Sequence, residues 1–307
     1  IRADGIDILI DLSGHTAHNR LLTFAHKPAP IQASWIGYPG TTGLQSIDYF
    51  LADRFFLPAG EFDDQFTEQI VRLPASAPFL PFAGAPDIAP PPALARGYIT
   101  FGSFNRPTKI SPQVVALWSR LLRAVPEAKM LLGAMRPDRN AERLADEFAA
   151  NGVARERLIF QPRCDMPTYL ALHQQVDICL DTFPYTGGTT TLHACWMGVP
   201  TLTLAGTTVP GRAAASTLGH VGLPGFIARD ASEFVARGRE WAADLEQLAT
   251  LRAGLRERLQ QSALGRPELV AAGLERTFRM IWQRWCQGLA PRAFEITAND
   301  LPAQARP

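Results

Sequence analysis

Residues 176–200, V-D-I-C-L-D-T-F-P-Y-T-G-G-T-T-T-L-H-A-C-W-M-G-V-P, carry the densest set of groups able to hold an anion. The apolar run at 176–180 reads as a buried parallel strand. It breaks at Pro184, Gly187 and Gly188, and Thr189, Thr190 and Thr191 then lead into a helix expected over 190–197. A helix start leaves backbone N–H groups unpaired at its positive end, and threonine hydroxyls add donors beside them. That arrangement suits a phosphate or diphosphate. It suits equally a capped helix whose glycines let it pack tightly on a sheet, and this stretch alone does not separate the two.

Other loops carry groups that bear on the choice. In G-S-F-N-R-P-T-K-I (102–110), Arg106 and Lys109 follow the strand expected at 98–104. A lone loop lysine is ordinarily a solvated charge; its pairing with the threonine turn in one sheet raises the anion reading above that. Arg163 and Cys164, in a loop after another strand, could edge a nucleobase. His193 lies four residues beyond Thr189 on the same helix, where a ligand contact and a core or capping histidine are equally good readings. In D-L-S-G-H-T (11–16), Asp11 and His15 invite a base-and-orienter reading with Ser13 nearby. A hydrolase triad is set aside, because there is no G-x-S-x-G elbow and groups so close in sequence rarely reach the geometry. No G-x-G-x-x-G and no Walker loop occurs.

The elements needed to place these groups alternate. Strands are expected at 6–12 (with Asp7 inside it), 31–36, 47–52 and 69–73, and a helix at 19–26. Residues 74–92 are rich in Pro and Ala and read as an interdomain linker. From 98 the pattern is regular, with strands at 98–104, 129–132, 158–161, 176–181 and 201–204. Helices fall between them at 112–124, 139–150, 166–174 and 190–197. A helical segment near 212–218 and three helical stretches between 231 and 287 follow. Alternation at this spacing means a doubly wound parallel α/β sheet, in which ligands sit beyond the carboxyl ends of the strands. The turn at 187–191 falls there.

Composition narrows the class. The 307 residues suffice for one large or two ordinary domains, with 47% apolar residues. The formal charge of +1, from 30 basic and 29 acidic residues, points to neither nucleic acid nor an anionic membrane surface. Cys164, Cys179, Cys195 and Cys286 show no C-x-x-C pairing, so neither zinc nor a disulfide framework is indicated, and a reducing, cytoplasmic setting is expected. No apolar run approaches the roughly 20 residues of a membrane span. The chain opens on Ile1 without a start methionine, as expected of a segment of a longer protein.

Four motifs in order carry a family resemblance. D-L-S-G-H-T (11–16), K-P-A-P-I-Q-A-S-W-I-G-Y-P-G-T-T-G (27–43), F-G-S-F-N-R-P-T-K-I (101–110) and L-D-T-F-P-Y-T-G-G-T-T-T (180–191) together resemble the catalytic region of the O-linked N-acetylglucosamine transferase and SPINDLY family, over roughly residues 5–285. The resemblance implies a GT-B glycosyltransferase of two Rossmann-like lobes. It would move a sugar with inversion, without metal or other cofactor, from a nucleotide diphosphate to Ser or Thr hydroxyls of proteins. Residues 1–75 would then be the C-terminal part of the acceptor-side lobe, 76–97 the linker, 98–287 the nucleotide-sugar lobe with its C-terminal helices, and 288–307 a tail. Lys109 would be the catalytic lysine that neutralises the diphosphate, with Gly188, Thr189 and Thr190 binding it. Arg163, Cys164 and His193 would meet the nucleoside, and Ser13, His15, Tyr38, Arg106 and Tyr185 would lie on the donor or acceptor side.

The pattern also departs from the family. N-acetylglucosamine transferases commonly carry a histidine where this chain has Gly188, and the F-P-Y-x-G-x-T-T-T form is closer to the SPINDLY side, whose plant members use GDP-fucose. Thr108 replaces an aromatic residue next to the lysine. UDP-GlcNAc is the expected donor, with GDP-fucose the first alternative and a non-catalytic nucleotide-sugar-binding module the second. An upstream catalytic segment bearing a histidine, and tetratricopeptide repeats for protein substrates, are expected in the full-length protein.

Overall fold

Short apolar strands, buried on both faces, need helices on both sides and connections long enough to return to the same sheet edge. The computed structural model, which describes residues 1–135 and 139–301, meets that need twice. The chain divides into a first unit of Ile1–Phe79, Thr208–Pro210 and Gln260–Pro307, and a second of Leu80–Thr207 and Gly211–Leu259.

The first unit holds β1 (Ile8–Asp11), α1 (Leu21–Ala25), β2 (Ile31–Trp35), β3 (Tyr49–Asp53) and β4 (Gln69–Leu73). The second begins with α2 (Ala93–Arg96), β5 (Thr100–Ser103), α3 (Pro112–Ala124), β6 (Lys129–Met135), α4 (Arg139–Ala150), β7 (Leu158–Pro162) and α5 (Met166–Leu172). It continues with β8 (Ile178–Leu180), α6 (Thr189–Trp196), β9 (Thr201–Leu204), α7 (Ala213–His220), β10 (Ile227–Ala228), α8 (Ala231–Ala243) and most of α9 (Leu245–Gln261). The chain then rejoins the first unit with α10 (Pro267–Cys286) and β11 (Phe294–Glu295).

In the first unit the sheet order is β1-β2-β3-β4-β11, and every pairing is parallel. The second sheet runs β10-β9-β8-β5-β6-β7, again all parallel. Strand β8 lies between β5 and β9, with Phe101 opposite Ile178 and Cys179 opposite Thr201, so the loops after these three strands emerge side by side. Helix α3 shows why such a helix forms and stops. The Ser111 hydroxyl caps it by accepting from the Val114 amide (3.4 Å), Pro112 sits in its first turn, and Val114, Val115, Leu117, Trp118, Leu121 and Leu122 bury one stripe.

Three expectations change. The stretch read as a helix of the nucleotide lobe up to residue 287 returns as α10 to the first unit. There Leu269 and Ile281 join the core of Ile31, Ala33, Leu51 and Val71. The Pro-rich segment is not a loose linker: the Arg252 guanidinium donates to the Ala89 carbonyl, Arg256 to Pro86 (2.7 Å) and Gln174 to Asp87 (3.0 Å), which fastens it to the second unit. Asp7, read as a strand interior, is exposed and precedes β1, which starts at Ile8. Residues 302–307 of the expected tail lie outside the described residues. Among the described residues no helix is long and apolar enough to cross a membrane.

Candidate functional site

Helix α6 opens on Gly188, with φ −106° and ψ −85°, no side-chain cap and no acidic residue in its first turn. By contrast α5 and α8 are capped by the carboxylates of Asp165 and Asp230. The amides of Thr191 and Leu192 donate to the Gly188 carbonyl (3.0 and 3.1 Å), so those of Thr189 and Thr190 precede the first helical hydrogen bonds at the positive end of the dipole. Thr189 is exposed and Thr190 half-buried. The alternative of a helix capped by a threonine side chain does not hold, because Gly188 occupies the cap position.

Gly187 and Gly188 differ in what they permit. A Cβ on Gly187 would lie 2.4 Å from Thr190 Oγ1 and 3.1 Å from both Asn105 Oδ1 and Asp181 Oδ1. A Cβ on Gly188 would meet only the Cβ of Ala213, at 3.9 Å.

The turn is built around Asp181, the residue that ends β8. Only 1% exposed, its carboxylate accepts from the Thr182 amide (2.9 Å), the Gly187 amide (2.7 Å), Asn105 Nδ2 (3.2 Å) and Thr203 Oγ1 (2.7 Å). Burial pushes this carboxyl up to about 6, against the lowering effect of those donors. Asn105 in turn accepts from Thr190 Oγ1 at 3.2 Å, and Thr191 Oγ1 donates to the Gly187 carbonyl at 3.2 Å. Lys109 is half-buried, unlike the solvated charge that a lone loop lysine ordinarily is. Its Nζ donates to the Thr186 carbonyl (2.8 Å) and lies 4.4 Å from the centre of the exposed Tyr185 ring. Burial lowers the lysine's pKa, the nearby Asp181 raises it, and Arg106 lowers it further.

The loop bearing Lys109 and the threonine turn, expected to meet, therefore do meet: the lysine reaches the turn three residues ahead of Thr189. Arg106 is exposed on that loop. His193 Nδ1 lies 3.2 Å from Tyr169 Oη, and burial lowers its pKa, which keeps the imidazole neutral at pH 7. Cys164, like Tyr169, packs on the cluster that includes Phe104, Cys179 and Ala194, its thiol pushed up by burial and by Asp165, while Arg163 beside it is exposed. Sequence reasoning missed Asp181, Asn105, Tyr169 and the fully buried His173. For Asp181 a signal was present, since an acidic residue directly after a buried apolar run is costly unless donors surround it.

In the first unit, Ser13, His15 and Tyr38 gather at the carboxyl ends of β1 and β2. The His15 and Tyr38 rings meet edge to face at 5.5 Å, and His15 Nε2 lies 3.2 Å from the Thr41 carbonyl. Asp11 does not orient His15. Its carboxylate accepts from the amides of Ser13 (3.1 Å) and Gly14 (2.8 Å) and from Ser34 Oγ (2.9 Å), which turns the loop and removes the base-and-orienter pair.

The profile of glycosyl transferase family 41 matches residues 1–80 and 92–271. The chain belongs to that family. This family 41 chain is 38% identical over 309 residues to the Hordeum vulgare protein named probable UDP-N-acetylglucosamine--peptide N-acetylglucosaminyltransferase SPINDLY, covering 98% of this chain and 32% of that protein. The protein of the same name ending in SEC from Arabidopsis thaliana is 30% identical, covering 98% and 32%. Among solved structures, the Thermobaculum terrenum O-GlcNAc transferase mutant K341M superposes with a TM-score of 0.84 at 38% identity, over 94% of this chain and 55% of that one. The lipopolysaccharide outer core galactosyltransferase WaaB shares the fold at 14% identity and a TM-score of 0.54, covering 84% and 75%. The two parallel α/β sheets are those of a GT-B glycosyltransferase. The family 41 chain spans about a third of the length of the curated relatives it matches.

Proposed function

We propose that this chain is the donor-binding and part of the acceptor-side region of a protein O-glycosyltransferase that moves GlcNAc with inversion from UDP-GlcNAc to Ser or Thr hydroxyls. One observation carries the reading: the half-buried ammonium of Lys109 is held on the turn that leads into the uncapped start of α6. As the anomeric carbon parts from the β-phosphate, negative charge grows on the leaving diphosphate. Lys109, the amides of Thr189 and Thr190 and the exposed Thr189 hydroxyl stand ready to oppose it, and loss of one such contact typically costs about 10²-fold to 10³-fold in rate. These groups already supply positive charge, so added magnesium is expected to leave affinity unchanged. Arg163, Cys164 and His193 are assigned to the nucleoside, and Ser13, His15, Tyr38, Arg106 and Tyr185 to the donor or acceptor side. Acceptor proteins would be recognised with the help of segments outside this chain.

A second donor is favoured by one observation. The chain is 38% identical to the SPINDLY-named relative against 30% for the SEC-named one, and it has Gly188, where an added Cβ would meet only Ala213, in place of the histidine common in N-acetylglucosamine transferases. GDP-fucose is the donor on that reading. Titration of the chain with UDP, GDP and their sugar conjugates, with and without magnesium, separates the two. UDP binding abolished by Lys109→Ala supports GlcNAc transfer, and preference for GDP moves the function to fucosyl transfer. Absence of binding to either would overturn the donor site.

A further inference from the structure

We infer that Asp181, buried behind the turn, is the positioning residue that makes the lysine loop and the threonine turn act as one diphosphate cradle. The inference rests on the diphosphate reading above and adds to it a group that this reading leaves unused.

Asp181 sits at the end of β8, where the loops after β5 and β8 and the side chain of Thr203 in β9 converge on its two oxygens. Through Oδ1 it holds the Gly187 amide, and the preceding carbonyl, that of Thr186, is the acceptor of Lys109 Nζ. Through the same oxygen it holds Asn105 Nδ2, which fixes the amide so that Asn105 Oδ1 faces Thr190 Oγ1. Two chains of contacts thus start from one carboxylate, one ending on the lysine and the other on a helix-start threonine. Oδ2 is anchored from behind by Thr203 Oγ1. A buried carboxylate so close to an anion site would repel the ligand unless its charge were spent on donors, and here four donors take it up. What remains of its field acts on Lys109, where it favours the charged form against burial.

The assignment separates positioning from plain stability, because it predicts a loss confined to the diphosphate. Asp181→Asn keeps the shape but removes the charge and turns one acceptor into a donor: with Nδ2 in place of Oδ1 it faces three donors, the Thr182 and Gly187 amides and Asn105 Nδ2, and with Nδ2 in place of Oδ2 it reverses the Thr203 hydrogen bond and leaves a neutral, weaker acceptor for those three. In the full chain, the variant is expected to weaken binding of whichever of UDP and GDP the wild type takes by about tenfold or more, while affinity for the parent nucleoside, read by ligand-observed NMR, stays unchanged. Thr203→Val, which removes only the anchor behind Oδ2, is expected to show the same selective loss at a smaller size, and it decides the matter if Asp181→Asn does not fold by circular dichroism. Equal loss of diphosphate and nucleoside, or wild-type affinity for both in the folded variants, overturns the positioning role. A wild-type chain that binds neither UDP nor GDP overturns the diphosphate reading itself.

Discussion

Adjacent glycines in the turn before α6 are expected to respond oppositely to one added methyl. In Gly187→Ala the new Cβ would stand 2.4 Å from Thr190 Oγ1, about 1 Å inside ordinary contact, with Asn105 Oδ1 and Asp181 Oδ1 at 3.1 Å on its other sides. The threonine can relieve the first clash only by rotating its hydroxyl away from Asn105, which forfeits a hydrogen bond worth about 1 kcal/mol. The Asn105 amide oxygen and the Asp181 carboxylate oxygen must also give by a few tenths of an ångström, and overpacking of this kind costs about 1–3 kcal/mol. Against that, alanine restricts the unfolded chain and returns about 0.4–1 kcal/mol. The net expectation is a destabilisation of about 1–3 kcal/mol, together with at least roughly tenfold weaker diphosphate binding because the helix start bearing the Thr189 and Thr190 amides is pushed off the Asn105 contact that fixes it. In Gly188→Ala the Cβ meets only Ala213 at 3.9 Å and φ is negative, so stability is expected to stay within about 1 kcal/mol of wild type. Urea unfolding followed through the six tryptophans, with UDP and GDP titration of the folded proteins, measures both. If Gly188→Ala proves as costly as Gly187→Ala, or if Gly187→Ala changes neither quantity, the geometry assigned to the turn is wrong.

Lys109→Ala is expected to lower turnover about 10²-fold to 10³-fold while shifting the unfolding midpoint little, since it removes one carbonyl hydrogen bond and one ring contact; glycosyl transfer assayed beside thermal unfolding checks it. Acid stability should depend on His173, whose imidazole, fully buried and stacked on Phe104 at 4.1 Å, is pushed down to about 3 by burial. In the unfolded chain it titrates near 6.5, so below that pH the unfolded state takes a proton that the folded state refuses, and stability falls by about 1.4 kcal/mol per pH unit as pH drops toward 3. Between pH 6.5 and 5 the wild type should therefore lose about 2 kcal/mol more than His173→Phe, and parallel pH profiles would remove this role; Asp181, whose raised carboxyl acts in the opposite sense, is common to both proteins. Arg252→Met should cost about 3 kcal/mol, because the carbonyls of Ala89, Val176 and Asp177 lose their donor, yet leave nucleotide affinity of the folded protein unchanged. A large change in affinity would show that this clamp, at the amino end of β8, reaches the site at its carboxyl end.

Local sequence determined much of this protein. Strand runs such as 69–73 and helices such as 112–124 stand where the sequence pattern placed them, because a buried run or stripe is a property of neighbouring residues. The strand, turn and helix of 176–197, and the lysine loop beside it, were legible for the same reason. Short pieces were not: β10 and β11 are two residues each and exist only because Thr203 and Val71 offer them a parallel edge. The return of α10 to the first unit was decided by which unit offered an apolar face to Leu269 and Ile281, a choice that hydrophobic periodicity cannot make. Asp181 shows the same limit at the candidate site. Its type and place at the end of a strand were readable, but its donors come from Asn105, 76 residues upstream, and Thr203, 22 downstream, and only the parallel order of β5, β8 and β9 brings them within hydrogen-bond reach. Chain-local chemistry set what each residue could do, and the sheet decided which residues could do it together.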